Sequence, residues 1–549
     1  MEIFFTILIL ILVVSLSGVV TRMLPFQVPL PLMQIACGAL LAWPTFGLHV
    51  NFDPELFLVL FIPPLLFADG WRTPLREFLH HGREILGLAL VLVVLTVVGV
   101  GYLIHLIIPS IPLVAAFALA AVLSPTDAVA LGGIVGEGKI PKSIMSVLEG
   151  EALMNDASGL VSLKLAVAVA MGTMEFTVYG ATVDFLIVAL GGVAAGVAIT
   201  WLYSKSLRLF SRWSGDEPAI QIVLMLLLPF AAYLVAEHFH VSGILAAVAA
   251  GMTIAQSGVI RNAPLTMRLR GNSVWSMLEF VFNGLVFIML GLQLPDILSA
   301  SILQAESDPS IETWHLFMDI VWIYFALMVM RFAWLWLMRL YSRRFLKKRP
   351  LLFNGYRTRD LFVATFAGVR GAITLAGVLS IPLILTSGLP FPARYQLVFL
   401  ATGVILFSLV MGVVLLPLLL RGITSSDGAT REEEMRLAWA SMAEVGIVSL
   451  EKLRERIESS SEENVDPHLL TEVSSRVIGS LRKRMYTDDE RARALEDERL
   501  ERRFRLTALR AERAELYHLR ATRKISNETM VKVLYDLDLI ETLLVDKVH

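Results

Sequence analysis

The stretch LSPTDAVALGG, residues 123–133, places a proline and a carboxylate inside an apolar run that otherwise reads as a helix. Pro125 carries no amide donor and its ring clashes with the preceding turn, so the spacing predicts local unwinding from Ser124 to Asp127. Lipid offers a freed backbone no hydrogen bonds, so a break at membrane depth is tolerated only beside a protein-lined cavity. There it exposes carbonyls and half-helix ends able to hold an ion, which makes Asp127, Thr126 and Ser124 candidate ligands. The competing structural reading is a proline kink with Asp127 as its cap.

A second interruption stands in AGVRGAITLAG, residues 367–377, where Arg370 lies between Gly368 and Gly371. Apolar runs long enough to span about 30 Å of hydrocarbon recur from residue 3 to residue 421. They divide into thirteen predicted helices, near 3–21, 28–43, 54–69, 84–106, 112–134, 149–171, 181–203, 218–237, 241–256, 272–294, 317–340, 358–383 and 395–420. The two interruptions fall in the fifth and twelfth, seven apart, as expected if helices one to six and eight to thirteen are inverted repeats joined by the seventh. Paired broken helices in corresponding positions of two halves point to a transport site.

Composition agrees with an integral membrane protein: 549 residues are 56% hydrophobic, with a mean hydropathy of +0.69. The net charge of −2 averages two unlike parts, an apolar domain over 1–421 and a charged tail over 422–549. Lys and Arg collect on every second loop: Arg22; Arg72, Arg76 and Arg83; Lys139 and Lys142; Lys205, Arg208 and Arg212; Arg261, Arg268 and Arg270; then Arg339 through Arg359. The opposite set contributes only Arg394. Positive loops are cytoplasmic, which sets the N-terminus outside and the tail in the cytoplasm. The N-terminal MEIFFTILIL lacks a basic flank and a small-residue cleavage site, and reads as a retained first helix. Cys37 is the single cysteine, which excludes intrachain disulfides and thiol metal clusters.

Ionisable residues at membrane depth are expensive, and each is a functional candidate whose alternative is a structural pair between helices. In GEALMNDAS, residues 150–158, Glu151, Asn155, Ser158 and Ser162 share one helical stripe about 60° wide. Asp156 points about 100° away from Asn155, onto a face with Leu160, Leu163 and Val167. A carboxylate taken out of water is penalised in its ionised form, so a proton and a metal cation compete for it. The alternative for Asp156 is a salt bridge, for example to Lys164 two turns along. Arg331, set back from the basic end of its helix, needs an acid, and Glu151 is the natural partner, with Asn155 on the same stripe. Glu279 and Asn283 divide evenly between function and helix-to-helix hydrogen bonding.

The tail is dense in strong helix formers. After Ser526 as an N-cap, Met530, Val533, Leu537, Ile540 and Leu544 form a stripe that needs a partner, either the rest of the tail or another subunit in a coiled coil.

Four stretches, FIPPLLFADGW (61–71), SPTDAVA (124–130), EGEALMNDASG (149–159) and GVRGAIT (368–374), resemble the monovalent cation:proton antiporter-1 family of sodium/proton exchangers, in its long-tailed bacterial form. The resemblance implies an all-α membrane fold of thirteen transmembrane helices in an inverted repeat. Helices five and twelve are then unwound and crossing, the assembly is a homodimer, and a helical cytoplasmic tail follows. It also implies that Asp156 exchanges the cation for protons, with Na+ held at Asp156, Asp127 and Thr126 beside Asn155. Glu151 and Arg331 match a structural ion pair, Arg370 the arginine of the second broken helix, and Asp69 an acid near the inner end of helix three. Some prokaryotic relatives carry Ser where this chain has Ala152, a departure that bears on cation selectivity. Asn before the key aspartate accompanies electroneutral exchange in the family, one carboxylate holding one cation or one proton.

The expected function is a secondary antiporter of a bacterial inner membrane that exports Na+, with Li+ or K+ as further substrates, in return for H+, serving pH and sodium homeostasis. Its expected partners are monovalent cations, protons and the lipid bilayer, without nucleic acid and without a cofactor. The alternatives are a potassium/proton antiporter, or a cation channel or sensor regulated by the tail. No enzyme signature is present: the ten histidines lack metal-ligand spacing and no glycine-rich phosphate loop precedes a helix.

Overall fold

Continuous apolar runs without internal partners in lipid fold into helices, because only a helix satisfies every backbone group within its own segment. The computed structural model describes residues 2–545 apart from 25–27, 44–53, 137–138, 173–176, 215–216, 260–262, 264, 308–312, 346–357, 386–387, 422–426, 460–465 and 483–487. Chain contacts divide it into two compact units, Met1–Ser425 and Ser426–His549.

The first unit opens with α1 (Glu2–Met23), α2 (Leu30–Leu41) and α3 (Pro54–Arg72). Short α4 (Leu75–His80) and α5 (Gly82–Leu86) lead through a π-helical turn, Gly87–Val91, into α6 (Leu92–Ile107). The fifth predicted segment is two helices, α7 (Leu113–Leu123) and α8 (Ala128–Val135), bent by 50°. Next come α9 (Lys142–Ala170), α10 (Val178–Ser214), α11 (Pro218–His238), α12 (Gly243–Gln256), α13 (Leu265–Ser307) and α14 (Thr313–Phe345). The twelfth segment is again split, into α15 (Thr358–Phe366) and α16 (Ala372–Leu379), and α17 (Arg394–Leu420) closes the unit.

Several helices run past their predicted ends. α9 begins at Lys142 and not near 149, and α10, α13 and α14 continue to Ser214, Ser307 and Phe345. Hydropathy marks the stretch that lipid must accept, whereas backbone hydrogen bonding carries the helix on into its polar flank. Among the described residues, eight helices are long and apolar enough to cross a bilayer, and the bent pair α7–α8 raises this to nine. Large apolar side chains such as Phe5, Leu190, Trp201 and Trp322 are more than half exposed, as a lipid-facing surface requires. The unit is a multi-pass membrane domain.

Its helices pack in two groups. α1, α2, α3, α10, α11, α12 and α13 pack mainly on one another, as do α4 to α9 with α14 to α17. Within the first group, α2 and α13 approach so closely at Gly38 and Gly291 that a side chain at either would strike the other helix's backbone. Between the groups the contact is largely apolar, for instance where Phe57 and Phe61 of α3 and Val286 of α13 meet Ala376 of α16.

In the second unit, α18 (Asp427–Ser459) packs on α19 (Pro467–Arg482), and α20 (Asp488–Ala521) on α21 (Asn527–Val545). The Ser526 hydroxyl accepts the Thr529 amide at 3.0 Å and caps α21. Arg513 of α20 bonds Asp538 at 2.5 Å and also pairs with Glu541. The α21 stripe is divided: Met530 is buried and Leu537 and Leu544 are half-buried, while Val533 and Ile540 are exposed.

Candidate cation and proton site at two helix breaks

The first break begins where Pro125 cannot continue α7, and the Ser124 hydroxyl turns back to its own helix, donating to the Ala121 carbonyl at 2.8 Å. Asp127, in extended conformation, caps α8: its Oδ1 accepts the amides of Val129 at 2.8 Å and Ala130 at 2.9 Å. The two breaks are joined, because the Asp127 amide donates to the Val369 carbonyl at 2.7 Å. Gly371 has to be glycine there, since a β-carbon built on it would fall on the Asp127 carboxylate.

Arg370 is 3% exposed. Its Nε donates to the Leu123 carbonyl at 3.2 Å, the end of α7, and its Nη1 to the Gly368 carbonyl at 2.5 Å. The Arg370 amide donates to Ser408 on α17 at 3.1 Å. A half-helix that ends inside a membrane leaves partial charges at its termini, negative at carbonyl ends and positive at amide ends. Arg370 meets the carbonyl ends, and Asp127 meets the amide end of α8 and sits against that of α16. Thus these two charges stabilise the breaks they interrupt.

The α9 residues separate as their angles dictate. Glu151, 1% exposed, makes a two-pronged pair with Arg331 of α14, with Nη1 on Oε1 and Nη2 on Oε2 at 2.7 Å. Arg331 Nε donates to the Ala364 carbonyl at 3.0 Å, so α9, α14 and α15 are tied at one guanidinium. Asn155 does not join this pair, contrary to the expectation from the shared stripe. Its Nδ2 donates to Thr126 Oγ1 at 2.9 Å, because the unwound segment lies one turn beyond Glu151. Its Oδ1 is buried with no hydrogen-bond partner among the described residues. Ser158 and Ser162 bond carbonyls of their own helix.

Asp156 is 7% exposed, and among the described residues its carboxylate has no hydrogen bond and no basic partner. The charges that act on it belong to two other acids, Asp127 and Asp69. Lys164, its alternative partner, instead bonds both carboxylate oxygens of Glu237 on α11, at 3.0 and 3.1 Å. Asp69 is half-buried near the end of α3. Glu279 pairs across helices with Arg72 of α3 at 2.6 Å, the helix-to-helix alternative for that residue. Among the described residues, no three His, Cys, Asp or Glu side chains converge as a metal cage.

Sequence reasoning missed Ser408, the Arg72–Glu279 pair and the Lys164–Glu237 pair. Arg72 was legible only as a loop charge; the acid it meets is some two hundred residues away in the chain. Ser408 carried no signal, since an isolated serine in an apolar helix is ordinary.

The family profile described as "Sodium/hydrogen exchanger, transmembrane" matches residues 8–421. The chain belongs to the sodium/hydrogen exchanger family. That family comprises transporters, not a class of catalysts. Among relatives of this exchanger, an uncharacterised Na(+)/H(+) exchanger, YjcE, of Escherichia coli (strain K12) is 69% identical over the whole of both chains. A sodium, potassium, lithium and rubidium/H(+) antiporter of Bacillus pumilus (strain SAFR-032) is 39% identical over 96% of this exchanger and 76% of the relative. In fold, the exchanger is similar to the sodium proton antiporter MjNhaP1 of Methanocaldococcus jannaschii at pH 8, with a TM-score of 0.59 and 15% identity over 77% of this chain and 99% of that one.

Proposed function

We propose that this family member is a secondary antiporter in which Na+ and H+ compete for the carboxylate of Asp156. The observation that carries the reading is a buried acid without a basic partner, beside two joined helix breaks and within the field of Asp127 and Asp69. Such a group gains by taking up one positive charge, and which ion supplies it is decided by their relative concentrations. With Asp127 engaged on α8 and Thr126 on Asn155, the remaining oxygens nearest in sequence are the orphaned Asn155 Oδ1 and the carbonyls of the unwound segment. An alkali cation is a hard ion that suits such neutral oxygens plus water and one carboxylate.

One titrating carboxylate carries one ion per passage, so exchange is electroneutral. Thirteen helices arranged as inverted repeats, with α7–α8 and α15–α16 as the crossing pair, form the transport domain of a homodimer. It lies in a bacterial inner membrane with the N-terminus outside and the tail in the cytoplasm, and its physiological work is pH and sodium homeostasis. The name of the Bacillus pumilus relative favours a broad cation set of Na+, Li+, K+ and Rb+. Purified protein in vesicles with an imposed inside-acid gradient tests this. Each of the four chlorides should dissipate the gradient, and at a single competing site the apparent cation affinity should fall by up to about tenfold per unit of acidification. Cation flux indifferent to the proton gradient would instead identify a channel.

A further inference from the structure

We propose that Lys164 and Glu237 form a latch on the outer face that holds the helix bearing Asp156 against the other group of helices, and that opens during each exchange cycle. The proposal rests on the antiport reading and on the orientation given by the loop charges. Lys164 lies on α9, eight residues and so about 12 Å along the helix from Asp156. Glu237 lies at the last turn of α11, which packs with α3, α10 and α12 in the other group. The pairs described above differ in this respect. Glu151–Arg331 lies inside one group and Arg72–Glu279 inside the other, whereas Lys164–Glu237 joins the two.

Glu237 is also held ready. Its Oε1 accepts the Gly243 amide at 3.3 Å at the start of α12, and Ser242 bonds the Val188 carbonyl of α10 at 3.0 Å in the same turn. Thus the acceptor is fixed to its own group, while the partner is a flexible lysine arriving from α9. The Lys164 side chain is 63% exposed and that of Glu237 33%. A pair in that setting is weak enough to break, and shifts an equilibrium by about two- to fivefold. Because the rest of the seam includes apolar contacts such as Ala376 against Phe57 and Phe61, which are not directional, a single directional pair at its edge can select one position of α9.

The test uses the full chain in vesicles. K164Q and E237Q each remove the charge pairing, and E237Q retains the oxygen that accepts the Gly243 amide. Each is expected to change the exchange rate by about two- to fivefold. K164Q/E237Q should change it no further than either single variant, and the swap K164E/E237K should return it to the starting value. With Cys37 replaced by Ala, K164C/E237C bridged by a bifunctional maleimide should lose exchange in proportion to bridging. Exchange that survives complete bridging, or single effects that simply add in the double variant, would overturn the latch alone. Should the unbridged wild type show no cation-coupled proton movement, the antiport reading falls and the latch with it.

Discussion

Asp156 and Asn155 are neighbours in the chain and opposite in circumstance. Asn155 is spoken for by Thr126 on the unwound segment, whereas Asp156, one position on and about 100° around the helix, meets no basic group among the described residues. That separation was legible in the sequence, because helical geometry alone puts the two on different faces. The partner of Asn155 was not, since a stripe shows which residues lie together on one helix and says nothing of what a neighbouring helix brings to it. Glu151 was legible with its partner, because a buried arginine has few acids to choose from at that depth. Removing that acid leaves Arg331 charged and buried. E151A is therefore expected to cost about 3–5 kcal/mol and to appear as a large fall in melting temperature or loss of monodisperse protein in detergent. E151A protein with unchanged stability would show that the pair does not hold α9, α14 and α15 together.

At the scale of elements, both helix interruptions could be located from Pro125 and from the glycines around Arg370, because missing donors and missing side chains are local properties. What joins them lies beyond sequence. The bond from the Asp127 amide to the Val369 carbonyl, and the seating of the Asp127 carboxylate against Gly371, link positions some 240 residues apart. Asp127 is also the cap from which α8 starts, the structural alternative that Pro125 and Asp127 offered in sequence. G371A tests this arrangement, because its methyl group competes for the space of the carboxylate. The expected outcome is loss of most exchange activity together with a lowered melting temperature, whereas G271A, at a helical site of α13 with open space around it, should leave exchange intact. Full exchange in G371A would mean that the two breaks do not depend on this close approach. Helix ends were the least legible part of the fold, as α9 and α13 show, since hydropathy stops at the lipid boundary and helical hydrogen bonding does not.

For the whole molecule, the change in composition after residue 421 separates an apolar unit from a charged one, and the compact units divide at Ser425. The grouping of membrane helices into two packing sets was not legible, because it depends on which faces meet and not on how apolar each face is. It matters to function, since a site reached alternately from two sides needs a boundary along which helices can shift, and Asp156 and Asp69 belong to different sets. The central claim is that one buried carboxylate is the shared station for cation and proton. Wild type and D156N, each reconstituted into vesicles with an internal pH-sensitive dye and an imposed inside-acid gradient, test it most directly. Addition of sodium chloride should collapse the gradient with wild type and leave it standing with D156N, while D156N remains monodisperse and melts at or above the wild-type temperature. Collapse of the gradient by D156N at the wild-type rate would contradict the account.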